Sequence, residues 1–161
     1  MSEEKKAQIA EKRASFKSLY EQLSAPFPQE AYTRDDSRGF ALTSLKPQYI
    51  VERLNEVCGV DGWELVGEFT RGDGDVLFTG KLVINDGFTG HGQIAVGAAL
   101  IKKSLSDAYK SAKTDALSKA ASYFGVGNDM FKGLVEPPAK GGAAKPKATM
   151  RSVKSASGSD F

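Results

Sequence analysis

The stretch from Ser104 to Phe124, SLSDAYKSAKTDALSKAASYF, constrains this chain more than any other. Leu105, Tyr109, Ala112, Ala116, Ala120 and Tyr123 recur at three- and four-residue steps, which is one face of an α-helix. The alanines on that face let another backbone come close. Gly125 follows the last periodic residue, where a C-terminal cap with positive φ is expected. With Leu105 at zero on a helical wheel, the core stripe spans roughly −20° to +60°. Lys113, Lys110 and Lys103 fall near about 80°, 140° and 160°, and Asp107 and Asp115 near about 200° and 280°. The expectation is a helix with a core face, a cationic flank and a separate acidic back. A polyanion-facing helix needs that arrangement, and a plain solvated face is the alternative.

The remaining chain reads in order around this helix. Glu3 to Ser24 is helical and highly charged, with Ile9, Phe16, Leu19, Tyr20 and Leu23 as candidate buried positions. Ala25-Pro26-Phe27-Pro28 stops it, with Phe27 expected as a core plug. Glu30 to Leu45 reads as a short extended pair around a turn at Asp35-Asp36-Ser37-Arg38-Gly39. Pro47 opens a second helix whose buried side is Ile50, Val51, Leu54, Val57 and Cys58, and Gly59 ends it. Three strands follow, Trp63 to Thr70, Val76 to Ile84 and Phe88 to Val96, with an irregularity expected near Gly80. Gly72-Asp73-Gly74-Asp75 and Asn85-Asp86-Gly87 are hairpin signals. The fold class is therefore α+β: an α-β-β-β-α core in which an antiparallel meander packs on the long helix, with an extra N-terminal helix and short hairpin. From Pro137 the composition turns to Ala, Gly, Lys, Ser and Pro without periodicity, so a disordered C-terminal tail is expected. The domain boundary is set at 1–135, with 136–161 as tail.

Charge matters by position here, because the net charge of the 161 residues is only +2. The tail carries Lys140, Lys145, Lys147, Arg151 and Lys154 against Asp160. Removing those five cations and one acid from the totals of 22 and 20 leaves residues 1–136 near −2. No apolar run approaches the ~18 residues that span a bilayer. The N-terminus, MSEEKKAQIAEKRA, has no apolar core of the secretory kind. The single cysteine, Cys58, excludes an intrachain disulfide framework and suits a reducing compartment, so a cytoplasmic location is expected.

Candidate chemistry is sparse. His91, in Gly90-His91-Gly92, fits a strand histidine, and Cys58 a small core residue. Asp73 and Asp75 are ordinary glycine-aspartate turn chemistry. No Gly-x-x-x-x-Gly-Lys-Ser/Thr phosphate loop is present. Hence no catalytic residue, no metal site and no cofactor is expected, and the chain does not read as an enzyme.

Three stretches together bring a family into view. Pro47 to Trp63, PQYIVERLNEVCGVDGW, resembles the helix-turn-strand of the Rad52-type single-strand annealing proteins, with Leu54-Asn55 leading into Gly59-Val60-Asp61-Gly62-Trp63. Ala108 to Phe131, AYKSAKTDALSKAASYFGVGNDMF, is similar to that family's main helix and the Phe-Gly turn after it. Leu23 to Phe27, together with Pro28, resembles the Leu-x-x-Pro-Phe-Pro opening of its short bacterial and phage members, including the DdrA-like branch. The likeness covers roughly residues 16 to 135. It implies an α-β-β-β-α fold, assembly into rings or arcs, and binding of single-stranded DNA in a basic groove. It also implies strand annealing in recombination and repair without a covalent step.

Carried over by position, Lys110 and Lys119 match cations of the family's long helix, and Arg34 matches an arginine facing the DNA backbone. Lys119 lies near about 320° on the wheel, on the flank opposite Lys110. Asp115 matches the family's aspartate, read as a cap or an inter-subunit partner. Ser118 departs from the pattern, since many relatives place a second cation there. Lys102, Lys103 and Lys113 complete the candidate DNA-binding set on charge alone. Trp63 and Tyr109 are candidates for base stacking, with core anchoring as the simpler role.

Two other readings stay open at this point. Double-stranded RNA-binding domains also run α-β-β-β-α with a lysine-rich start to the last helix, as in Ile101-Lys102-Lys103-Ser104. An oligomeric scaffold, or a protector of DNA ends without annealing activity, is the other. The Ser159-Asp160-Phe161 tip resembles the C-terminal tips of bacterial single-stranded-DNA-binding proteins, which makes such a protein a further candidate partner.

Overall fold

Ser2 accepts a hydrogen bond from the Lys5 amide and starts the first helix, α1 (Glu3–Leu23), whose first turn carries Glu3 and Glu4 at the positive end of the dipole. The computed structural model describes residues 1–85 and 90–140. A single 3-10 turn at Gln29–Ala31 leads into β1 (Tyr32–Asp35), which pairs antiparallel with β2 (Leu42–Leu45). Gly39 takes φ +81° inside the intervening turn, as the Asp-Ser-Arg-Gly sequence requires. Pro47 occupies the first turn of α2 (Pro47–Cys58), and Gly59 at φ +82° ends it.

β3 (Trp63–Arg71), β4 (Asp75–Asn85) and β5 (Gly90–Leu100) form the antiparallel meander in that order. Ser104 caps α3 (Leu105–Ser122) by accepting from the Asp107 amide at 3.1 Å. Gly125 then turns the chain at φ +95° toward the four-residue α4 (Asn128–Phe131). The fold is α+β, with four helices and antiparallel sheets of two and three strands.

α3 lies over β4 and β5 because both surfaces are small where they meet. Ala108, Ala112, Ala116 and Ala120 are all buried along the helix. Opposite them is Gly97, where a Cβ would come within 2.0 Å of the Ala112 carbonyl oxygen and 2.4 Å of the Ala116 nitrogen. Val76, Phe78, Leu82 and Ile84 alternate along β4 and are buried beneath the helix. A second cluster joins Leu23 of α1, Ile50 and Leu54 of α2, and Leu117, Ala120 and Ala121 of α3.

Several expectations are corrected. β4 has no irregularity at Gly80, which sits in unbroken register between Gly67 and Ala95. That glycine is needed for space, since a Cβ there would meet the Phe78 ring at 2.4 Å. β5 runs on to Leu100, four residues past the expected end. The expected turn at Asp86-Gly87 and the strand start at Phe88 lie outside the described residues, as does the tail beyond Lys140. α1 was expected to bury five apolar positions, yet only Leu23 is buried. Residues 1–15 are exposed throughout, Ile9 at 42% among them, Phe16 and Leu19 are half-buried, and Tyr20 is 49% exposed. α4 went unforeseen, since one turn of helix has no readable period.

Candidate nucleic-acid interface

The β1–β2 hairpin brings Arg34 to a site crowded by its own neighbours. Its Nε donates to both carboxylate oxygens of Asp36, at 3.0 and 2.9 Å, and one terminal nitrogen donates to the Pro138 carbonyl at 3.4 Å. Thr43 of β2 donates to the Val135 carbonyl at 2.7 Å. The segment after α4 therefore crosses the hairpin and leaves beside Arg34. Asp35 sits below the usual carboxylate range, chiefly through hydrogen bonds from Ser37, with Arg38 and Lys102 adding electrostatic stabilisation. This folded-state depression favours the native state above the ordinary carboxylate pKa, and the benefit disappears as pH falls through the lowered value. It also puts Lys102, from the β5–α3 connection, within electrostatic reach of the hairpin. Arg38 was not among the expected site residues; its only signal in the sequence is its place in the turn after Arg34.

Along α3 the charges are less segregated than the wheel suggests. Lys110 lies 3.9 Å from Asp107 one turn earlier, and Lys119 lies 2.7 Å from Asp115. Both pairs are exposed, so each contributes little to stability. Asp115 accepts from the Ala98 amide at 3.0 Å, through the same carboxylate oxygen that meets Lys119, while the Lys119 ammonium donates to the Val96 carbonyl at 3.2 Å. The two side chains cover backbone groups along β5, the outer strand of the sheet. Tyr109 meets Phe69 of β3, with ring centroids 4.8 Å apart, so the other flank of α3 turns toward the opposite edge. Lys113 and Lys110 belong to that flank, away from Lys119. Lys102, Lys103 and Lys113 are exposed, and Lys103 and Lys113 form no ion pair among the described residues.

The aromatic candidates are anchored within the protein. Trp63 is half-buried and its indole nitrogen donates to Asn55 Oδ1 at 2.7 Å. The Leu54-Asn55 and Gly-Trp elements are thus two halves of one contact that joins α2 to β3. His91 lies in β5 with its ring edge-on to Phe16 of α1 at 4.7 Å. Cys58 is half-buried, and burial pushes its thiol pKa up, away from thiolate chemistry. Among the described residues there is no group of three or more His, Cys, Asp or Glu side chains placed to hold a metal ion, and no helix long and apolar enough to cross a membrane.

A three-stranded meander backed by one long alanine-faced helix, with a short hairpin and the helix α2 preceding it, defines an α+β fold that leaves Lys102, Lys103, Lys110 and Lys113 exposed. A family model described as Rad52/22 family double-strand break repair protein matches residues 15–134, about three quarters of the chain. The chain belongs to this family, and so to the proteins of DNA repair and recombination. No curated protein matches it.

Proposed function

We propose that this protein binds single-stranded DNA and anneals complementary strands as an oligomeric ring or arc, with no covalent step of its own. The observation that carries this reading is the set of exposed cations, Lys102, Lys103, Lys110, Lys113 and Arg38, joined by the half-buried Arg34, on a folded unit whose overall charge is near neutral. Phosphate contacts of this kind are blind to sequence and leave base edges available for pairing. Lys119 contributes only where a strand follows the β5 side, since its ammonium already holds Asp115 and Val96.

Repetition of the unit would join these modest patches into a continuous track. The face of the sheet opposite α3 supports such repetition. Val66, Ile94, Val96 and Leu100 share it by strand alternation and are 48–65% exposed, a patch that a second copy would cover. A single-stranded-DNA-binding protein as partner, and a cytoplasmic site of action, belong to the same proposal.

Fluorescence anisotropy with oligo-dT and with duplex RNA, each across a salt series, tests the reading together with a strand-pairing assay and native mass measurement. Oligo-dT is expected to bind preferentially, and affinity should fall steeply with salt. Replacing Lys102, Lys103 and Lys113 by Glu should flatten the salt slope by about 2, near 0.7 per lost phosphate contact. Preference for duplex RNA, or a strictly monomeric protein with and without DNA, would overturn the proposal.

A further inference from the structure

Alternate residues of a strand share a face, so Tyr32 and Arg34 of β1 stand on one side of the hairpin with their register partners Leu45 and Thr43 of β2. The inner pair, Tyr32 with Leu45, is buried in the core. One pair further out the same face turns polar, and its cover changes as well. Residues 135–138, which follow α4, meet Arg34 and Thr43 on this face. The Thr43 hydroxyl donates to the Val135 carbonyl at 2.7 Å, and one terminal nitrogen of Arg34 donates to the Pro138 carbonyl at 3.4 Å. Val135, Pro137 and Pro138 are half-buried, and the Arg34 side chain is 28% exposed.

We infer that residues 135–138 form an autoinhibitory strap, anchored by Thr43, which covers Arg34 until a DNA phosphate takes its place. Asp36 holds only the Nε of Arg34, so the terminal nitrogens lie beyond that ion pair and the strap carbonyl is the partner of one of them. A guanidinium matches phosphate oxygens with short, charge-assisted bonds, and a single neutral carbonyl at 3.4 Å is a weak substitute. The strap is also lightly held. Among the described residues no backbone–backbone hydrogen bond joins it to β1 or β2, so it is not a third strand of that sheet. Pro137 and Pro138 have no N–H to donate, and their fixed φ favours an extended crossing that loses little conformational freedom. Between the two contacts, Glu136 is exposed and forms no ion pair among the described residues. Its carboxylate carries the sign of charge that repels an incoming phosphate.

The inference rests on the single-stranded-DNA reading and concerns its regulation: the hairpin end of the site opens only when the strap leaves, and apparent affinity falls with the fraction of molecules that are closed. The test measures oligo-dT affinity across a salt series for the full chain and for a double variant, Pro137→Gly with Pro138→Gly. That variant loosens the strap and leaves every cation in place. A second variant, Thr43→Val, removes the anchoring donor and leaves the strap sequence intact. Each is repeated in an Arg34→Ala background. Both variants should bind oligo-dT about threefold to tenfold more tightly than the native protein, with a salt slope steeper by about 0.7, the mark of one added phosphate contact. Arg34→Ala should abolish that gain.

Unchanged or weaker binding by both variants, or loss of folding in both, would make residues 135–138 a structural brace and overturn the inference while leaving DNA binding by the native protein intact. Should the glycine variant alone unfold, Thr43→Val decides by the same criterion. An equal gain in the Arg34→Ala background would trace the effect to freer movement of the following chain, and would overturn the strap as well. No binding of oligo-dT by any of these proteins would instead remove the parent reading, and the strap with it.

Discussion

Arg53 shows how one side chain can hold three segments at once. Its guanidinium donates to the carbonyls of Gln22, Leu23, Ala25 and Pro26 and sits 4.0 Å above the Phe27 ring. The first two are among the carbonyls that a helix C-terminus leaves without partners. Desolvation lowers the Arg53 pKa, but an arginine stays charged throughout the accessible range. Lysine cannot reproduce this planar fork, so Arg53→Lys should cost about 2 kcal/mol, read as a lower urea midpoint. Cys58 gives a pH dependence of known sign. Its folded pKa lies above that of the unfolded thiol, so its contribution is complete below about pH 8.5 and is lost as pH rises through the folded value. Between pH 8 and pH 10 the native protein should lose stability more steeply than Cys58→Ser, in urea titrations at matched ionic strength.

At the level of elements, the contact of α3 with β5 decides the architecture. Four buried alanines and Gly97 bring helix and strand together so closely that a single methyl group has no place to go. Gly97→Ala should therefore destabilise by about 1–3 kcal/mol and lower the melting temperature by several degrees, through overpacking instead of through any conformational preference. The same helix covers backbone groups of β5 with Asp115 and Lys119. A helix that both packs on a strand and caps its edge has few ways to slide, which fixes the positions of Lys110 and Lys113 relative to the sheet.

For the whole molecule, the question is how a unit with residues 1–136 near −2 meets a polyanion. Under the proposed function, position within the fold would supply one answer, repetition a second and the chain after Val135 a third. That chain passes the hairpin, where the Pro138 carbonyl accepts from Arg34, and in sequence five cations follow, beginning with Lys140. Deleting residues 141–161 removes four of them, Lys145, Lys147, Arg151 and Lys154. Oligo-dT affinity should then fall and the salt slope flatten by up to about 3. An unchanged slope would mean that these cations stay in solvent when DNA binds.

Periodicity and punctuation alone determined most of the element order. The alanine stripe, Pro47 with Gly59, and the glycine-aspartate turn before β4 act within a few residues, so the sequence displays them directly. The candidate cations were legible as residue types, but their partners were not. Whether Lys119 is free for a phosphate depends on a strand some twenty residues away, and Arg34 meets a carbonyl 104 residues later in the chain. Trp63 with Asn55, and Arg53 beneath the end of α1, likewise exist only once separate segments are packed together. Local backbone preferences are written in adjacent residues; a hydrogen bond or a pocket is written in distances that only the folded chain sets.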